Sequence, residues 1–303
     1  MFDYFRSFNT TQTALAVSIT LFTLVFAVVF VADCIKHKED FNTKKLVPLA
    51  FIGAITNFLD TLGIGSFATT QAGFKFTKSC DDELMPGTLN VGDTIPVVTE
   101  FILFLTFGNV AGLTLVSMII AAIVGAVIGA GVVSKLPVDK IRYALGAALV
   151  ILAFVLFARN MGWGPFSGAA GDPDAIQALL GWRLIVGVVG NFFLGALMTV
   201  GVGLYAPCMA LVGALGLNIG AAFPIMMGSC AFLMPAAGIK FIKEGKYDRK
   251  AAMMLTVFGV IGVMIANFIV KSMNMYYLTF IVIIVMLYTA FTFFKDARKV
   301  AKN

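Results

Sequence analysis

Read from the N-terminus, the chain alternates long apolar runs with short polar stretches. The runs cover 14–33, 46–72, 86–106, 110–134, 139–158, 183–205, 217–239, 250–271 and 275–294. About 20 apolar residues suffice to cross the hydrocarbon core as a helix, so about nine transmembrane segments are predicted. The period-two alternation of a barrel strand is not the pattern here. The expected fold class is therefore all-α, a polytopic transmembrane helical bundle. Some runs exceed the bilayer thickness and carry Gly or Pro near the middle, which predicts breaks or tilt. The first run ends in "ADCIKHKED" without a small-residue cleavage pattern, and so reads as a retained helix.

Composition agrees with the pattern. The chain has 303 residues, 60% of them hydrophobic and only 13% charged, and a mean hydropathy of +0.96. The net charge of +6 comes from basic residues scattered through short loops, which suits topology signals and not a nucleic-acid surface. If all nine segments cross once, 15 of the 22 Lys and Arg lie on one face. The positive-inside rule then puts the C-terminus in the cytoplasm and the N-terminus outside. Cys34, Cys80, Cys208 and Cys230 show no CxxC spacing and imply neither a disulfide framework nor a zinc site.

The chain also repeats itself. "LNVGDTIP" at 89–96 returns as "LNIGAAFP" at 217–224, "GAITNF" at 53–58 as "GVVGNF" at 187–192, and "LGIGSFA" at 62–68 as "VGVGLYA" at 200–206. Gly125 answers Gly259, and Lys135 answers Lys271. The expected organisation is an N-terminal transmembrane helix with a cytoplasmic loop (1–45), a first four-segment repeat (46–158), a linker (159–182), a second repeat (183–295) and a basic tail (296–303). Pseudo-symmetric halves enclosing a midplane site are a common construction of transporters. If every segment crosses, the copies are parallel; if one per copy is re-entrant, they are inverted. The charge bias favours parallel copies.

Each copy gathers an Asn, a G-x-G and an L-N-x-G-x-x-x-P. Glycine lets a membrane helix unwind and proline removes a helix donor. A half-helix that starts in the membrane turns free N–H groups and a positive dipole end toward an anion. Glycines also serve close helix packing and lone asparagines also join helices. Asn57, Asn90, Asn191 and Asn218 at membrane depth nevertheless call for interhelical bonds or a polar cavity. The candidate substrate-binding residues are these four with Gly63, Gly65, Gly201 and Gly203, and the nearby donors Ser66, Thr69, Thr70, Gln71, Lys75 and Tyr205.

At these residues the chain resembles the TauE/SafE family of sulfite exporter-like permeases. The resemblance rests on the two hydrophobic halves, on "GVGLYAPCMALVGALGLN" at 201–218 and on "PGTLNVGDTIP" at 86–96. It implies transport of sulfite, sulfoacetate or related organosulfonates across the bacterial cytoplasmic membrane, in the direction of export. Three features depart from the family pattern: "GIGS" and "GVGL" in place of a fuller G-x-G-G-G, the extra helix at 14–33, and the acidic "KSCDDELMPG" at 78–87.

Asp60, Asp93 and Glu100 lie in or beside first-copy spans, while the second-copy positions matching the latter two are Ala221 and Gly228. Ionisable groups at membrane depth commonly serve a pathway or a proton relay, which makes the proton the candidate coupling ion. The alternative reading has Asp93 capping a helix from about residue 94 and Glu100 facing a wet vestibule. An enzyme is disfavoured: the lone His37 sits in a solvated loop, and no Ser/His/Asp set, HExxH or Walker motif occurs. No cofactor is expected. The partners expected are the small anion and the bilayer, and no oligomeric state is assigned. A passive anion channel and a permease for a non-sulfur carboxylate remain as alternatives.

Overall fold

The computed structural model describes residues 8–41, 45–107, 109–133, 138–161, 163, 176–198 and 203–300. Among them the chain is helical, without a strand. It divides into two compact units, one of Met1–Thr61, Gly65–Leu105 and Cys230–Ile269, the other of Leu62–Ile64, Thr106–Ser229 and Val270–Asn303. Helices Thr10–Lys36, Lys140–Ala158, Ala222–Glu244, Arg249–Ser272 and Tyr276–Arg298 are long and apolar enough to cross a bilayer. The protein is a multi-pass membrane protein built as an all-α helical bundle.

In the first unit, α1 (Thr10–Lys36) opens on a capping box between Asn9 and Gln12. Its Phe26, Phe30 and Cys34 pack with Val91, Ile242, Tyr247 and Ala252. A polar knot holds its far end: Asp33 Oδ2 accepts from Tyr247 OH (2.6 Å) and Arg249 Nε (2.6 Å), and Arg249 Nη1 reaches Asp40 Oδ2 at 2.7 Å.

The run predicted as one segment over 46–72 is not a single helix. It forms α2 (Leu46–Thr61) and α3 (Ser66–Thr77), folded back on each other. Thr70 Oγ1 donates to Thr56 Oγ1 at 2.9 Å, Gly73 lies against Ile52, and Lys45 Nζ donates to the Lys78 carbonyl, tying the open ends together. The reversal turns on Gly63 (φ 94°) and Gly65 (φ 90°), values that residues with a Cβ rarely adopt.

Next come α4 (Met85–Gly92) and α5 (Thr94–Phe104), an interrupted rod. Pro96 has no N–H for the Gly92 carbonyl four residues back. Thr256 Oγ1 supplies the missing donor at 2.9 Å, from α11 (Arg249–Ser272). Gly53 and Gly262 let α2 and α11 meet backbone to backbone, a Cβ at either falling against Met254 O or Ala54 O. Also in this unit is most of α10 (Ala222–Glu244).

The second unit holds α6 (Gly112–Val133), α7 (Val138–Asn160), α8 (Trp182–Met198), α9 (Tyr205–Ala214) and α12 (Met275–Val300). A Cβ on Gly125 would overlap the Phe192 carbonyl, and one on Gly195 the Ala122 carbonyl, so α6 and α8 are in close backbone contact. Along α7 and α12, Gly146 faces Phe294, Phe157 meets Phe280, and Asn160 Nδ2 donates to Tyr276 O at 3.4 Å. The 183–205 run is helix α8, and Gly190 sits against Leu211 and Gly187 against Leu215, so α9 runs back along α8.

Two findings follow. The 46–72 run is not one continuous helix, because Gly63 and Gly65 let the backbone turn inside an uninterrupted apolar stretch, and the helix of the 183–205 run is followed by one that runs back along it. Moreover, the compact units cut across the sequence halves. The first unit takes α11 from the second half, and the second takes α6 and α7 from the first. The echo of Gly125 in Gly259 then has a physical reason. Gly259 admits Asn57 of α2, and Gly125 admits α8 at Phe192, next to Asn191.

Candidate functional site

The first hairpin and α5 bring together the polar residues of the first unit. On α2, Gly53, Asn57 and Thr61 recur every four residues and share a face. Asn57 is fully buried; its Nδ2 donates to Gly53 O (3.0 Å) and to Asp93 Oδ1 (3.1 Å). One turn on, Thr61 Oγ1 donates to Glu100 Oε1 at 2.7 Å and to Asn57 O at 2.9 Å. Asp60 lies at the end of α2, and the Gly63–Gly65 turn brings the start of α3 round to it. Ser66 N–H donates to Asp60 Oδ1 at 2.7 Å. The Ser66 side chain lies beside both Asp60 and Asp93.

Asp60, Asp93 and Glu100 are all buried. Among the described residues no ion pair reaches Asp60 or Asp93, and Asn57 Oδ1 and Asp93 Oδ2 are buried without a hydrogen-bond partner. The acids do not converge on a point that could hold a metal ion. The arrangement is a buried group of carboxyls lined by amides and hydroxyls.

Two expectations for these acids need correction. Asp93 does precede α5, but it makes no side-chain cap bond; its carboxyl turns to Asn57 on another helix. Glu100 faces no wet vestibule, being fully buried against Thr61.

The other sequence candidates distribute as follows. Thr70 is buried and bonded to Thr56, while Thr69 turns its hydroxyl to Ser66 O (2.8 Å) and Gly65 O (3.1 Å) on its own helix. Gln71 is half-buried, and Lys75 is exposed, nine residues from the helix start and so about 13 Å along α3. Asn90 donates back to Pro86 O at 2.8 Å within its own helix.

In the second unit, Asn191 mirrors Asn57 with neutral partners, donating to Met118 O (2.7 Å) and Ser229 Oγ (3.1 Å). Asn218 Oδ1 accepts from Gly220 N–H (2.8 Å), closing a tight turn before α10. Gly203 is exposed and Tyr205 is buried at the first position of α9; Gly201 lies outside the described residues. Sequence reasoning missed Thr56, Thr61, Ser229 and Thr256. The four-residue spacing from Asn57 could have flagged Thr61. Ser229 follows Gly228, the counterpart of Glu100, and nothing in the sequence pairs Thr256 with Gly92.

The acidic cluster is thus confined to one of the two hairpins, and its counterpart is neutral. Comparison with curated proteins and with solved structures gives no match to the chain. A family profile does match: sulfite exporter TauE/SafE, over residues 5–156. That stretch is half of the chain and contains the first hairpin, α4–α5 and all three buried acids. The chain belongs to the TauE/SafE family of sulfite exporters, which are membrane transporters.

Proposed function

We propose that this protein is a secondary transporter that exports a small anion, sulfite or an organosulfonate such as sulfoacetate, across the bacterial cytoplasmic membrane. The observation that carries the reading is the glycine-broken hairpin of α2 and α3, whose helix start is buried among Asn57, Ser66 and Thr70 in a chain of this family. Helix starts attract anions through unpaired N–H groups and the positive dipole end. At the second break the candidate donors are Asn191, Gly203, Tyr205 and Asn218. Asp60, Asp93 and Glu100 supply the proton as coupling ion.

The reversals sharpen the membrane topology. With both hairpins returning to the side they left, the crossings are α1, α4–α5, α6, α7, α10, α11 and α12. All Lys and Arg except Arg6, Arg159, Arg183 and Lys271 then fall on one side, 18 of 22, against 15 when nine segments cross. That side is cytoplasmic and holds the C-terminus, and the N-terminus is outside. Each copy has three crossings, which makes the copies inverted.

Ligand-dependent thermal stabilisation of the purified protein tests the reading, since a ligand selective for the native state raises its stability by mass action. Sulfite and sulfoacetate are expected to raise Tm, and Ser66→Ala with Asn57→Ala to abolish the shift. Equal shifts with acetate and sulfate, or none with any sulfur anion, would overturn it.

A further inference from the structure

The start of α3 is already occupied. Ser66 N–H, one of the donors expected to meet the substrate, is taken at 2.7 Å by the carboxylate of Asp60. Gly65, which precedes the helix, offers no side-chain cap, so the acid six residues back does that work. The turn that permits it depends on two glycines at positive φ. There is room beside it, because a Cβ on Gly65 would meet no atom within 4 Å.

A second feature of the same spot calls for a ligand. Asp93, fully buried, lies beside Ser66 and acts on Asp60, yet its Oδ2 has no hydrogen-bond partner among the described residues. A buried acceptor without a donor is costly. A proton carried on the neighbouring acid would supply that donor.

We infer that Asp60 is a resident anion holding the substrate's place at the start of α3, and that the substrate anion binds only together with a proton accepted by Asp60. This rests on the permease reading above and specifies its coupling. The steps balance simply. Asp60 takes one proton from the adjoining aqueous phase, its new O–H donates to Asp93 Oδ2, and Ser66 N–H is released to an oxygen of the incoming anion. Release of the anion on the other side returns Ser66 N–H to Asp60 as the proton departs. Anion and proton therefore travel in the same direction, one of each per cycle, and export is driven by the outward gradient of the anion.

Among the described residues the ionisable group acting on Asp60 is Asp93, and Glu100 lies against the adjoining Thr61. On α11, Gly259 faces Asn57 and Gly262 faces Ala54 and Phe58, and neither carries a charge. The second hairpin, with Asn191 and Ser229 at the corresponding place, has no acid to take the same part. The coupling proton is thus assigned to the first hairpin.

The experiment uses the full chain and isethionate, a sulfonate that stays ionised across the working pH range. Its Kd is measured by calorimetry from pH 5 to pH 9, in two buffers of different ionisation enthalpy so that proton uptake is counted. For the wild type, affinity is full at acid pH and falls about tenfold per pH unit once Asp60 is ionised, with one proton taken up per anion. Asp60→Ala and Asp60→Asn bind with a Kd independent of pH and without proton uptake. A pH-independent wild-type Kd, or a slope that survives in both variants, overturns the inference and leaves the permease reading standing. The wild-type proton count decides even if a variant does not fold. Absence of binding by isethionate, sulfoacetate and sulfite at every pH overturns both.

Discussion

Asn57→Ala would remove the amide that joins α2 to α5. The Gly53 carbonyl, which that amide also contacts at 3.0 Å, still accepts the helical N–H of residue 57, so it stays satisfied. Asp93 does not fare as well. It loses the 3.1 Å bond to Oδ1 while Oδ2 is already unpartnered and both lie at full burial. Leaving a buried acceptor without its donor costs about 1–3 kcal/mol. In a body of 150–250 residues each kcal/mol moves Tm by about 2–4 °C, so Asn57→Ala is expected to lower Tm by roughly 2–12 °C. Asp93→Ala strands the Asn57 amide and costs a similar amount. The double variant strands neither, so its loss should fall short of the sum by about 1–2 kcal/mol, a coupling that a double-mutant cycle isolates. The assay is thermal unfolding in one detergent followed by intrinsic fluorescence at fixed scan rate, because unfolding of such proteins is commonly irreversible. Losses that add within about 0.5 kcal/mol would refute the claim that Asn57 and Asp93 act as a pair.

Other perturbations separate backbone strain, steric overlap and electrostatics. Gly65→Ala meets no neighbouring atom but must hold φ near +90°; it should cost about 1–2 kcal/mol and weaken anion binding, both read from Tm with and without sulfoacetate. Gly125→Leu drives a side chain into the Phe192 carbonyl, so monodisperse protein in size-exclusion chromatography should fall severely while Gly203→Ala, in open space, leaves it unchanged. Arg249→Gln removes the cation from Asp33 and Asp40, and hydrogen exchange should quicken at 33–41 but not in α7 or α12.

The apolar runs located nearly every helix because α1, α7, α10, α11 and α12 are each apolar over a length that can cross a bilayer. Hydropathy is blind to direction. The residues "TLGIGSFA" at 61–68 stay apolar through a complete reversal, and only Gly63 and Gly65 mark it. The break was legible in those glycines; the sense of the turn was not, since it rests on backbone angles and on the pairing of Thr56 with Thr70. The acids stood out as charges at membrane depth. Their partners did not, since Thr61 and Glu100 are 39 residues apart in the chain. Asn90 carried the same sequence signal as Asn57 yet bonds to its own helix. An echo in sequence marks where the chain repeats its local geometry, and the identity of each buried partner comes from packing against segments distant in the chain.

The central claim is that this chain carries an anion through a proton-linked site, and counterflow tests it most directly. Liposomes containing the protein are loaded with unlabelled sulfite and diluted into a trace of labelled sulfite, with the membrane potential clamped to zero. The account predicts transient accumulation of label above the external concentration, faster at acid pH, and a loss of that pH dependence in Asp60→Asn. Label that only equilibrates, with a steady conductance, would contradict it and describe a pore.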